Sequence, residues 1–115
     1  MLIRAEESRT ERVENLKGGA GVVEKRLCLE TLPEGAKMFA ELTLAPGCSI
    51  GLHKHTGEYE TFFCTRGELT PDDGGEEKLM HAGDFAICPD GGTHALYNRS
   101  AAPASVFACI IKTAV

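Results

Sequence analysis

Long apolar runs are missing from this chain. In its 115 residues no stretch approaches the roughly 20 apolar residues that cross a bilayer, so no membrane partner is expected. The opening Met1-Leu-Ile-Arg-Ala-Glu-Glu lacks the basic start and apolar core of a secretory signal, which makes the cytoplasm the expected location. Positive charge is also scarce: 12 Lys and Arg stand against 17 Asp and Glu, a net charge of -5. A nucleic-acid surface needs clustered Lys and Arg. Here Arg4, Arg9, Arg12, Lys17, Lys25 and Arg26 are interleaved with Glu6, Glu7, Glu11, Glu14 and Glu24. That is the pattern of a solvated face, and no nucleic-acid partner is expected.

Paired cysteine spacing is missing too. The five cysteines (Cys28, Cys48, Cys64, Cys88, Cys109) are odd in number and contain no C-x-x-C. That excludes a disulfide framework or zinc ribbon and leaves reduced thiols acting as small hydrophobes. After Gly18 no window longer than ten residues carries a helical period, and there is no linker, repeat or low-complexity segment.

What remains is a succession of short β-type runs separated by turn signals. Residues 1–21 are polar, end in Gly18-Gly19-Ala20-Gly21, and read as a flexible arm. Residues 22–115 read as one β domain. Its runs are Val22–Glu30, Ala36–Leu44, Ile50–His55, Tyr59–Thr65, Glu77–His81, Phe85–Cys88, Thr93–Asn98 and Ser105–Lys112. Thr70-Pro71-Asp72-Asp73-Gly74-Gly75 is a hairpin turn signal. Many short strands at regular spacing indicate an all-β sandwich or barrel.

Within that frame four side chains stand out. His53 and His55 are two apart, so a strand aims both imidazoles to one face. Glu60 begins the next strand after a tight turn at Thr56-Gly57. His94 follows the Pro89-Asp90-Gly91-Gly92 turn and can arrive from a neighbouring strand. Three imidazoles and a carboxylate form an N/O ligand set suited to Mn, Fe, Co, Ni, Cu or Zn, with positions left open for a small molecule. Glu58 is a rival ligand by its spacing, and a candidate general acid or base at the rim.

The spacing Gly47, five residues, His53-Lys54-His55, four residues, Glu60, six residues, Gly67 resembles the first motif of the cupin superfamily. Gly83, five residues, Pro89-Asp90-Gly91, two residues, His94, three residues, Asn98 resembles its second motif. Both patterns are met at every position. The chain is similar to small single-domain bacterial cupins, in the neighbourhood of oxalate-decarboxylase-like members. The resemblance implies a double-stranded β-helix, a jelly-roll barrel. It favours Glu60 over Glu58 as ligand, beside His53, His55 and His94. It also implies a homodimer formed through an apolar sheet face.

Strand parity puts Phe62 and Cys64 on the face of Glu60, and Leu96 on that of His94. Met38, Ala40 and Leu42 are expected to complete an apolar pocket lining. Ile50, Leu52 and Phe63 are expected on the outer faces. Asn98 is expected to fix a turn, and His81 to lie on the surface. No Arg or Lys falls on the inward face of a motif strand, with Arg66 at a strand end the nearest. That favours a small substrate held by the metal, such as a short carboxylate or enediol, over a phosphorylated sugar. The leading expectation is a metal-dependent enzyme acting on a small organic acid, by decarboxylation or dioxygenase chemistry. A non-enzymatic ligand- or metal-binding module is the alternative, and a sugar isomerase or epimerase comes third.

Overall fold

The computed structural model describes residues 1–113. Eleven strands run in chain order: β1 Thr10–Glu14, β2 Val22–Leu27, β3 Ala36–Leu44, β4 Ser49–Lys54, β5 Glu58–Arg66, β6 Glu68–Asp73, β7 Glu76–Glu77, β8 Met80–His81, β9 Phe85–Cys88, β10 Thr93–Tyr97 and β11 Ala104–Lys112. One sheet has the order β1-β2-β3-β11-β5-β9, and the other the order β4-β10-β6-β7, with β8 also paired to β6. All pairings are antiparallel.

The core between the sheets follows from alternation. On β3, Met38, Ala40, Leu42 and Leu44 are buried; on β5, Glu60, Phe62 and Cys64; on β11, Val106 and Ala108. Each residue in these sets is two from the next, so each set shares one face. Asn98 holds the far end of the barrel together. Its Nδ2 donates to the Leu44 and Ala102 carbonyls at 2.8 and 2.9 Å, and its Oδ1 accepts from the Ser100 backbone N–H at 2.9 Å.

Three departures from the sequence expectation matter for the site. First, residues 10–14 of the supposed arm form β1, paired residue for residue with β2 from Thr10↔Arg26 to Glu14↔Val22. The alternation of β1 is half-buried and polar, so its pairing left no apolar signature. Second, β6 extends through Pro71, and the turn lies at Gly74-Gly75 rather than across residues 70–75. β8 pairs with residues 68–69 and β7 with residues 72–73. Pro71 falls in the gap between them, where a missing N–H is tolerated.

Third, β4 carries a bulge. His94 pairs with His53 and Leu96 with Ile50, so two steps on β10 answer three on β4. The extra residue flips the parity of the strand. Ile50, expected outside, is buried in the core, whereas Leu52 faces solvent. The bulge is shaped by a close approach. A Cβ on Gly51 would meet the Lys17 carbonyl oxygen at 2.1 Å, and one on Gly19 would meet the Ser49 carbonyl oxygen at 2.1 Å. Two glycines therefore let the segment Leu16–Gly18, a 3-10 turn, lie directly on β4. The Gly-Gly-x-Gly stretch is a packing surface here.

Candidate metal centre

His53, Glu60 and His94 reach one point from β4, β5 and β10, and His55 reaches it from just beyond the end of β4. One ligand atom from each lies within 4.8 Å of every other. Nε2 of His55 is 3.0 Å from Nε2 of His94, which is 3.2 Å from Nε2 of His53. Oε1 of Glu60 is 2.9 Å from His55 Nε2, 3.0 Å from His94 Nε2 and 3.9 Å from His53 Nε2. His55, Glu60 and His94 are buried, and the His53 side chain is 12 % exposed.

The orientation of each imidazole has a visible cause. Nδ1 of His53 donates to the Gly51 carbonyl in the bulge at 2.7 Å. Nδ1 of His55 donates to Oε2 of Glu58 at 2.6 Å. The His94 ring stacks on Phe62, with centroids 5.0 Å apart and planes at 10°. The Pro89–Gly92 turn is tied to His55 through backbone bonds of 3.0 and 2.7 Å. Asp90 in that turn accepts from the Gly57 N–H at 2.7 Å and the Thr113 hydroxyl at 2.9 Å. Gly57 donating to the Asp90 carboxylate, seconded by Thr113, holds that carboxyl below its usual range. Asp90 thus links the turn between His55 and Glu60 to the turn that delivers His94. Nothing in the sequence marks it, because a turn aspartate looks the same with or without such partners.

These bonds decide the chemistry. A carbonyl oxygen only accepts, so His53 carries its proton on Nδ1 and turns a lone pair inward from Nε2. His55 does the same through Glu58. Two imidazole lone pairs and a carboxylate oxygen then converge with His94 in a buried space. Such an acceptor-rich cluster is satisfied by a cation, and the N₃O set fits a divalent first-row ion. Burial opposes ionisation of Glu60; in the metal-free form, hydrogen bonds and charge from the histidines when they carry a second proton outweigh it and hold its carboxyl at about 2, and a bound cation would take the place of those protons. The carboxylate is thus ready to ligate.

Glu58 lies on the same inward face of β5 as Glu60, yet it does not enter the cluster. One oxygen accepts the hydrogen bond from His55 Nδ1, and the other accepts from Lys37 Nζ at 2.5 Å. Burial would raise this carboxyl; the hydrogen bonds from Lys37 and His55 prevail and keep it below its usual range. A carboxylate behind a ligand histidine fixes the ring and raises its basicity.

The cluster opens into a cavity of about 320 Å³, within the usual range for small-molecule sites. Of the expected lining, Met38 and Leu42 border this cavity; Ala40, Phe62, Cys64 and Leu96 belong to the buried core behind it. Parity alone does not separate the two, because core and cavity share one face of each strand. Leu16, Ile50 and Ile110 complete the apolar wall. The expectation concerned the inward faces of the motif strands, and positive charge reaches the cavity by other routes. Lys17, Lys25, Lys37 and Lys54 all line the cavity. Lys17, Lys25 and Lys37 stand on elements outside the motifs, and Lys54 ends β4 between His53 and His55. Arg66 lies elsewhere, donating to Ser105 Oγ at 3.4 Å, and His81 is exposed beside Glu68.

Comparison with known proteins agrees with this architecture. Residues 40–110 match the Cupin domain family model. An oxalate-binding protein of Thermotoga maritima is 36% identical over 113 residues, spanning 96% of this chain and 93% of its own length. The crystal structure of a predicted oxalate decarboxylase from the same organism superposes with a TM-score of 0.93 at 36% identity, over 97% of this chain and 99% of the other. An uncharacterized protein with a double-stranded beta-helix domain from Klebsiella pneumoniae superposes with a TM-score of 0.72 at 22% identity, over 96% and 89% of the two chains. With both motifs in place and the family model spanning most of the barrel, the chain belongs to the cupin family.

Proposed function

We propose that this chain binds a small organic acid, oxalate first among the candidates, at a divalent first-row metal ion held by His53, His55, Glu60 and His94. The observation that carries the reading is the convergence of inward lone pairs from His53 and His55 with the Glu60 carboxylate at the base of a cavity. The 36% identical relative named as an oxalate-binding protein supports the choice of ligand. Bound there, the ion supplies a Lewis-acid centre with open positions for a carboxylate.

The chain's own residues define the rest of the site. Glu58 orients His55, and Phe62 holds the plane of His94. Met38, Leu42, Ile50 and Ile110 keep bulk water from the ligand. Glu58 is a positioning residue here, not a free acid, since both its oxygens are engaged. Decarboxylase or dioxygenase turnover is the further step that such a centre would support.

Two properties accompany this reading. The outer face of β5 and β9 exposes Phe63, Phe85 and Ile87 at 44%, 60% and 48%, and a second copy of the chain covers it in a homodimer. The five free cysteines suit a reducing compartment such as the cytoplasm.

Calorimetric titration of oxalate into metal-free protein, and into protein loaded with Mn(II), Fe(II) or Zn(II), tests the reading. Saturable binding only in a loaded form is expected; equal behaviour of the metal-free protein contradicts it. Carbon dioxide release or dioxygen uptake in the same samples adds catalysis to binding.

A further inference from the structure

The cavity is far more basic than the chain that forms it. Four of the six lysines line it and none of the six arginines does, in a protein of net charge -5. The two acidic residues in its wall are already engaged: Glu60 with the histidines, and Glu58 with Lys37 and His55. Among the described residues Lys17, Lys25 and Lys54 form no ion pair. They come from three separate elements: the 3-10 turn laid on β4, strand β2, and the end of β4. Lys17 is also held in a left-handed conformation, φ 54°, ψ 31°, which L side chains adopt at a cost. Packing of Lys17–Gly19 on Gly51 fixes that conformation at the cavity wall.

We propose that Lys17, Lys25 and Lys54 form an anion collar that makes this site selective for carboxylic acids bearing at least two negative charges. One carboxylate is taken by the metal centre, and the remaining charge faces the lysines. A monocarboxylate bound through its single carboxylate leaves no second charge for the collar, and a neutral sugar has none. The inference rests on the metal-centred reading above and adds which acids the site prefers. Positive charge focused in a cleft also raises the arrival rate of anions, and salt weakens both effects.

The test uses Mn(II)-loaded protein titrated with acetate, oxalate, malonate and succinate. Two variants are compared with the wild type: Lys25→Met, which removes charge and keeps the stem, and Lys17→Gly, which removes charge and relieves the left-handed strain. Dicarboxylates are expected to bind about tenfold or more tightly than acetate. Each variant should lose roughly three- to fivefold in dicarboxylate affinity, with acetate affinity and metal content unchanged. Lys17→Gly should at the same time melt at a higher temperature, which separates loss of the collar from loss of the fold. Unchanged dicarboxylate affinity in both variants, or an equal fall for acetate, overturns the collar and leaves the metal site standing. A wild type that takes up no metal or binds no carboxylate overturns the metal-centred reading and the collar with it.

Discussion

Glu58 Oε2 lies 2.6 Å from His55 Nδ1 while Oε1 of the same carboxylate faces Lys37 Nζ. A residue at the rim of the cavity is thereby coupled to the innermost imidazole. Glu58→Gln should weaken metal affinity by roughly 10- to 100-fold, because an amide oxygen accepts the imidazole proton less strongly. The melting temperature of the metal-free protein should change little. Competition with a fluorescent chelator measures the first, and a thermal scan the second; unaltered metal affinity would remove Glu58 from the site.

The glycine contact beneath Lys17 should be intolerant of a single methyl. Gly51→Ala places Cβ at 2.1 Å from the Lys17 carbonyl oxygen, and backbone cannot rotate away as a side chain can. A loss of about 3 kcal/mol is expected from such overpacking, read from urea denaturation. Gly74→Ala is the contrast: nothing lies within 4 Å of that Cβ, so only its left-handed φ of 61° opposes the change.

Acid should reveal the buried carboxylate. The Glu60 carboxyl sits at about 2 in the fold against a usual 4.5. Its folded value is depressed, so its contribution to stability is complete above the unfolded value and disappears as pH falls toward 2. In metal-free protein the stability difference between wild type and Glu60→Gln should shrink as pH drops from about 5 toward 3. Denaturation at a series of pH values checks this, and a difference that stays constant would contradict it.

The exposed aromatic patch sets a test of association. Phe63 and Phe85 are cross-strand partners on the outer face of β5 and β9. Phe85→Glu should convert a dimer into a 12.3 kDa monomer and leave metal content unchanged. Light scattering after size exclusion gives the answer. A wild type that already runs as a monomer would count against the dimer.

Much of this was legible in the sequence, because the barrel writes its core as a period of two. Met38, Ala40, Leu42 and Leu44 announced β3 at its observed boundaries. The H-x-H, Glu60 and His94 spacing singles out the four side chains that cluster in the fold. What stayed hidden depended on contacts between distant segments. The bulge that turns Ile50 inward is a mismatch between β4 and β10, invisible in β4 alone. The role of Glu58 depends on Lys37, 21 residues away. The basic cavity wall is assembled from four elements, three of them outside the motifs: the turn at Leu16–Gly18, β2 and β3.

Elemental analysis of the purified protein beside Glu60→Ala, each after reconstitution with Mn(II) or Fe(II) and removal of excess metal, tests the central claim most directly. The account predicts about one metal ion per chain in the wild type, and none retained by a variant whose barrel remains folded by circular dichroism. A wild type that holds no metal, or a variant that holds as much as the wild type, would contradict it.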